Sequence, residues 1–337
     1  MHAYVDRVIE ELSLYRESPR RPVDTVFFGG GTPTLLPTGE LVRLLTAVKE
    51  CFELLPSAEV SIEANPGVTN ADQLRALWEA GVNRLSIGLQ SIHENEQKLL
   101  GRIHDADDFY RVMRDARAAG FDNINVDIMY GIPDQTPESF AATVDAVLAT
   151  HPTHISAYSL ILEEGTPLYD ERGSLRLPSE DEELRMVDEL VRRLGDGGFR
   201  RYEISNYSLN GYRSRHNMKY WTMKPYLGVG LCAHSYIDGR RFSNTRELRS
   251  YLSGATPTVE ERTEADEAYE WAMLHLRTAD GLLLSSYRAR FGTDFLDGRR
   301  ATLVRLADAG LVLLDGDRVA LTDRGMYVSN AILTEIL

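Results

Sequence analysis

Apolar and polar positions along the first 200 residues fall into two alternating patterns. Short β-rich runs at 25–28, 59–62, 84–88, 123–128 and 154–160 are separated by stretches whose apolar residues recur every three to four positions, at about 38–54, 70–81, 105–120, 137–150 and 180–198. Strand and helix patterns in alternation predict repeated βαβ units and a parallel sheet. The strand runs read as mostly apolar, which predicts strands covered by helices or turned toward a barrel interior. Gly81 and Gly120 stand where two of the helices end, each followed by an apolar residue and the next strand.

The pattern then changes. Residues 164–183 are rich in glycine, proline and charge and predict a loop, and 201–205 reads as one more strand. Residues 206–260 carry many Tyr, Asn, Gly and Arg with few helix cues, and predict an extension on a larger scaffold. Helical stretches follow at 271–278, 284–291 and 299–309, then two short strands around Asp315-Gly316-Asp317 and a last helix after Thr322. The expected organisation is an α/β region over 1–205, an extension over 206–260 and a winged-helix-like domain over 261–337. A winged helix suggests DNA binding or a structural cap; acidic residues outnumber basic ones from residue 260 onward, which favours the cap.

Charge and cysteine content narrow the function. The 337-residue chain has 51 acidic and 37 basic residues, a formal charge of −14, which excludes a general electrostatic nucleic-acid binder. Two cysteines, Cys51 and Cys232, exclude a disulfide scaffold and suit a reducing compartment. They also exclude a metal cluster held by three or four thiolates of this chain. The start of the sequence is amphipathic and charged, unlike a secretory signal, and no apolar run reaches the length of a membrane span. A cytoplasmic protein is expected.

In parallel α/β folds the chemistry sits where strands end. The first predicted strand ends in Gly29-Gly30-Gly31-Thr32-Pro33-Thr34, the second in Glu63-Ala64-Asn65-Pro66, the third in Gln90-Ser91, the fourth in Asp127 and Tyr130-Gly131, and the fifth in Glu163-Glu164-Gly165. A ring of polar groups beside Gly and Pro breaks predicts one open cleft for a polar small molecule, lined by Gly30, Gly31, Thr32, Glu63, Gln90 and Asp127. The glycines permit close approach of a ligand to the backbone. They form neither a P-loop, since no Gly-Lys-Ser/Thr follows, nor a dinucleotide fingerprint. Glu63 and Asp127 suit ammonium or ribose hydroxyl donors, or else a satisfied salt bridge or turn. Arg102 suits a carboxylate, or else solvent.

These blocks resemble a known family. The stretch 23–36, with its Gly29-Gly30-Gly31-Thr32-Pro33 core, is similar to the glycine motif of the oxygen-independent coproporphyrinogen oxidase group of radical S-adenosylmethionine (SAM) proteins. Glu63-Ala64-Asn65-Pro66, Gly88-Leu89-Gln90-Ser91 and Asp127-Ile128-Met129-Tyr130-Gly131-Ile132-Pro133 match further blocks in order. Within that group the chain is most similar to HemW-like haem chaperones, through the HNxxYW block His216-Asn217-Met218-Lys219-Tyr220-Trp221, supported by the stretch 202–207 and by Ala233-His234-Ser235. The resemblance covers nearly the whole chain. It implies a partial (β/α)₆ barrel, of which the five strands fit the second to sixth. Gly30, Gly31 and Thr32 would lie against the SAM amino group. Glu63, Gln90 and Asp127 would contact its polar groups, including the ribose hydroxyls, and Arg102 would reach the same site.

One departure is large. The family's first strand ends in a CxxxCxxC loop that holds a [4Fe–4S] cluster, whereas Met1 falls within what resembles the helix after that loop. Either about 40 residues, the length of a βα unit, are missing before Met1, or the chain is a cluster-free relative; truncation is the expectation, because the SAM-contacting positions are kept. Cys51 lies on a predicted helix as an inert buried thiol, and Cys232 is isolated.

For haem, His216 and His234 are candidate axial ligands, with Asn217, Tyr220 and Trp221 beside them and the two aromatic residues as a porphyrin wall or ordinary core. The implied function is a haem-binding chaperone that delivers haem to client haemoproteins. The alternative is an oxygen-independent coproporphyrinogen III oxidase, decarboxylating two propionates with a 5′-deoxyadenosyl radical.

Overall fold

The structure, a computed structural model, describes residues 1–102 and 104–337. The chain divides into two units: Met1–Arg200 with Ser205–Arg213, and Arg201–Ile204 with Ser214–Leu337.

The first unit is built on β1 (Pro22–Phe28), β2 (Glu53–Ala64), β3 (Arg84–Gln90), β4 (Asn123–Tyr130) and β5 (His154–Ser159), five parallel neighbours in chain order. Two short strands, β6 (Arg200–Arg201) and β7 (Asn206–Ser208), extend the sheet beyond β5, with β7 antiparallel to it. The sheet curls into a partial barrel. β1 is an edge strand and pairs with β2. Helix α1 (His2–Ser13) precedes β1, and α2 (Thr38–Cys51), α3 (Ala71–Ala80), α4 (Glu94–Leu99), α5 (Ala106–Ala119), α6 (Pro137–Leu148), α7 (Pro167–Asp170) and α8 (Glu180–Asp196) lie in the connections.

The predicted βαβ order holds, with one correction to how the strands are read. They are not apolar throughout; they alternate. Val60, Ile62, Leu85, Ile87, Ile124, Val126 and Ile155 pack into one core with Leu41, Leu45, Leu77, Phe109, Phe140, Val144 and Leu190 from the helices. The intervening residues, among them Ser61, Glu63, Arg84, Ser86, Asn125, Asp127, His154 and Ser156, take the opposite face. The register sets them side by side: Glu63 opposite Ser86, Ser86 opposite Asn125, Asn125 opposite His154, Asp127 opposite Ser156. A period of two in a parallel sheet means one oily face and one polar face, so the inner surface carries the chemistry.

Helix ends follow the sequence cues. Asn70 and Asp105 cap α3 and α5 by accepting from Gln73 N and Asp108 N, both at 2.9 Å. Gly81 and Gly120 close these helices in the left-handed region, at φ 104° and 110°. The helix expected over 38–54 stops at Cys51. β2 begins at Glu53, earlier than its apolar run, because Glu53 and Leu54 pair with Pro22 and Val23 before the register shifts.

The second unit holds α9 (Arg215–Trp221), a three-stranded antiparallel sheet of β8 (His234–Ile237), β9 (Arg240–Ser243) and β10 (Thr258–Glu260), and α10 (Leu248–Leu252). The stretch 206–260 is therefore more regular than its composition suggests. Next come α11 (Glu264–Leu276), β11 (Leu282–Leu283), α12 (Leu284–Phe291), α13 (Arg300–Asp308), the hairpin β12 (Val312–Asp315) and β13 (Arg318–Leu321), α14 (Asp323–Tyr327) and α15 (Ser329–Ile336). Trp271, Leu276, Tyr287, Phe295, Leu303, Val319 and Ile332 form one core with Met223. This is the expected winged-helix outline. Residues 214–260 and 261–337 fall in one unit. No helix among the described residues is long and apolar enough to cross a membrane.

Candidate functional site

At the C-terminal ends of β1, β2 and β4 the structure brings Glu63 against the Gly30 N–H and into the field of Asp127, which also reaches Arg102. β1 runs into Gly29-Gly30-Gly31, where Gly30 and Gly31 take φ 86° and 151°. A methyl group added at either would meet no atom within 4 Å, so this backbone borders open space. Gly29 is different: a Cβ there would lie 2.8 Å from Glu63 Oε1 and 2.5 Å from the Phe27 ring. Glycine at 29 is what lets Glu63 lie against the turn, and the Gly30 N–H donates to its carboxylate. Thr32 is half-buried and precedes the 3₁₀ turn Pro33–Leu35.

Asp127, on β4, is held by a buried network that the sequence reading did not single out. Asn125 Nδ2 donates to Asp127 Oδ1 at 2.8 Å and to Ser86 Oγ at 2.7 Å. Ser86 Oγ donates to Asp127 Oδ2 at 3.2 Å, and Ser156 also hydrogen-bonds to Asp127. Asn125 Oδ1 lies 2.6 Å from His154 Nδ1 and 3.1 Å from Ser156 Oγ. The clue lay in the strands themselves, where Ser86, Asn125, Asp127, His154 and Ser156 recur at every second position.

The end of β3 is distorted. The register with β4 shifts between Gly88 and Gln90, and Gln90 takes φ 71°, a conformation rare for a side-chain-bearing residue. Its side chain is buried and its Oε1 has no hydrogen-bond partner among the described residues. The following segment is anchored by Glu96, also buried, which accepts from Ser91 Oγ at 2.6 Å, Ser139 Oγ at 2.7 Å and Gln135 Nε2 at 3.0 Å. Arg102 lies beyond, within the field of Asp127.

Electrostatics tie these groups together. Burial, then the charge of Asp127, push the Glu63 carboxyl up to about 7, against the Gly30 N–H. Burial raises Asp127 too, opposed by the hydrogen bonds from Ser156, Asn125 and Ser86. Burial lowers Arg102, opposed by Asp127. His154 is pushed well below its usual range, first by burial and then by Arg84, so its ring is neutral.

The donor set suits a ligand rich in ammonium and hydroxyl donors. Open space beside the backbone of Gly30 and Gly31, a Gln90 Oε1 with no partner among the described residues and a desolvated carboxyl at Glu63 are what such a ligand would meet. SAM, with its ammonium and ribose hydroxyls, fits. A [4Fe–4S] cluster does not: Cys51 is buried on α2 and Cys232 is exposed in the other unit, so three thiolates are not available.

The haem candidates lie in the second unit. His216, Asn217, Tyr220 and Trp221 are carried by α9, where Ser214 Oγ accepts from the Asn217 N–H. His216 Nε2 is 2.9 Å from the Tyr220 hydroxyl. Tyr220 meets Tyr226 at 4.6 Å between ring centres, and Tyr226 bridges to Tyr236 on β8. His234 opens β8, exposed, two residues before Tyr236.

The radical SAM superfamily matches residues 2–147 and the HemN C-terminal domain matches residues 263–328. The chain is 33% identical to the haem chaperone HemW of Lactococcus lactis, over 99% of this chain and 89% of that protein. The chain belongs to the HemW family. The chain is also 34% identical to a mitochondrial radical S-adenosyl methionine domain-containing protein of Bos taurus, over 98% of this chain and 79% of that one. Among solved structures, coproporphyrinogen III oxidase (HemN) from Escherichia coli, a radical SAM enzyme, superposes with a TM-score of 0.84 at 25% identity, covering 99% of this chain and 82% of that one. This chain and that HemN structure are thus similar in fold along nearly the whole chain.

Proposed function

We propose that the chain is a haem chaperone, which binds haem through the unit carrying α9 and passes it to client haemoproteins. The observation that carries this reading is similarity along nearly the whole length to proteins named haem chaperone HemW. His216 supplies the axial imidazole, Tyr220 and Trp221 with Asn217 form the adjoining wall, and His234 on β8 is the second candidate ligand. Oxidation of coproporphyrinogen is the lesser reading, since the solved oxidase is the more distant relative in sequence.

In the same reading the barrel mouth binds SAM. Glu63, Gln90 and Asp127 accept from its ammonium and hydroxyl groups, Gly30, Gly31 and Thr32 line its approach, and Arg102 takes its carboxylate. SAM brings a sulfonium whose reductive cleavage draws an electron from a [4Fe–4S] cluster; with two cysteines this chain holds SAM as a ligand. What its own residues do is bind and orient: the Asn125 network fixes Asp127, and Glu96 fixes the segment that carries Gln90.

Titration of the purified chain with haem tests the main reading. A Soret band that saturates at one haem per chain and is lost in H216A is the expected result. Absence of any spectral change in the wild type, oxidised or reduced, sinks it.

A further inference from the structure

His216 and Tyr220 are four residues apart on α9 (Arg215–Trp221), the spacing that puts two side chains on one helix face. His216 Nε2 lies 2.9 Å from the Tyr220 hydroxyl, and the rings meet edge to face, 5.2 Å between centres at 82°. A metal takes the lone pair of a neutral ring nitrogen. In this hydrogen bond that lone pair is committed whichever group donates. Either Nε2 accepts the hydroxyl proton, or Nε2 carries its own proton and donates it. While the contact stands, Nε2 is closed to iron.

Tyr220 is held in place from its other side. Its ring packs edge-on against Tyr226 at 4.6 Å, and Tyr226 is pinned by backbone hydrogen bonds to Tyr236 of 2.8 and 2.9 Å. The Tyr220 ring is thus held between His216 and Tyr226. Yet 39% of the residue's surface is exposed, which leaves one side toward which the ring can turn.

We propose that Tyr220 is an affinity-determining latch on His216: its hydroxyl occupies Nε2 in the haem-free chain, and an iron porphyrin has to displace it to ligate there. The proposal rests on the reading of His216 as the haem ligand. It adds a reason for that ligand to be a weak one. The hydroxyl competes with iron for one nitrogen, so it lowers affinity on arrival and recaptures the imidazole on departure, as transfer of haem to another protein requires.

The test compares wild type, Y220F and H216A, each as the full chain with its circular dichroism checked. Y220F keeps the ring and its packing on Tyr226 and removes only the hydroxyl. Haem should bind Y220F about fivefold more tightly, the factor one ordinary hydrogen bond is worth, with the Soret position unchanged. Binding equal to or weaker than wild type overturns the latch. A second readout needs no haem: acylation of His216 by diethyl pyrocarbonate, followed by mass spectrometry, should be faster in Y220F, and an equal rate counts against the proposal. If H216A binds haem as the wild type does, the ligand assignment fails, while the acylation rates still decide whether the hydroxyl guards Nε2.

Discussion

Asp127 raises the proton affinity of Glu63 across the barrel mouth. The two carboxyl groups, on β4 and β2, share a desolvated surface, and burial together with the charge of Asp127 brings Glu63 to about 7. The folded chain therefore binds a proton at Glu63 between its ordinary pKa near 4.5 and about 7, where the unfolded chain does not. Stability contributed here is present at low pH and is lost as pH rises toward 7. Urea unfolding of the wild type should show this decline relative to E63Q, which lacks the titrating group. D127N should lower the Glu63 pKa; a carbon-13 titration in which it stays put would refute the coupling.

Ligand binding at the mouth should carry the opposite pH dependence. A protonated Glu63 has lost acceptor capacity for ammonium or ribose hydroxyls, so the competent form is the ionised one. Apparent affinity scales with the competent fraction. Between pH 6 and 8, S-adenosylhomocysteine, which has the same ammonium and ribose and needs no cluster, should bind about tenfold more tightly as Glu63 ionises. Calorimetry on wild type and E63Q reads this directly. A flat wild-type profile would remove Glu63 from the binding surface.

Asn125 should matter more to stability than any single residue of the mouth. Its amide donates to Asp127 and Ser86 and accepts from His154 and Ser156, four partners at once, three of them buried. N125A removes one hydrogen bond from each of these groups, worth about 0.5–1.5 kcal/mol apiece. A loss of at least about 2 kcal/mol in urea unfolding is expected. A change below about 0.5 kcal/mol, the range of an ordinary surface substitution, would mean that the network contributes little.

How far the sequence disclosed this molecule differs from place to place. The strand and helix order of the first unit was plain, because a parallel sheet covered by helices repeats its apolar runs and its caps: Asn70 with Gly81 and Asp105 with Gly120 each bracket a helix. Glu63, Gln90 and Asp127 were legible by position, since they end or nearly end their strands. What supports the mouth was not. Asn125 and Glu96 act through side-chain contacts to residues 29 and 43 positions away, and no local pattern encodes such pairings. The stretch 206–260 hid α9 and β8 to β10 because its strands are only three or four residues long, too short for a period to declare itself. The HNxxYW block was visible as a motif, but the bond between its histidine and tyrosine follows only from the helix that carries them.

A [4Fe–4S] cluster requires thiolate ligands close together. Cys51 is buried on α2, where burial holds its thiol in the protonated form above the usual range. Cys232 is exposed in the second unit, at φ 61°. Two cysteines so placed leave at least one thiolate wanting even if both could be recruited. Anaerobic reconstitution of this chain with iron and sulfide should yield no bound cluster, and C51S and C232S should behave as the wild type does. Incubation with SAM and dithionite should give no 5′-deoxyadenosine above background. A four-iron signal by electron paramagnetic resonance, with iron and sulfide analysis to match, would show that other side chains ligate the cluster and that the thiolate argument is wrong.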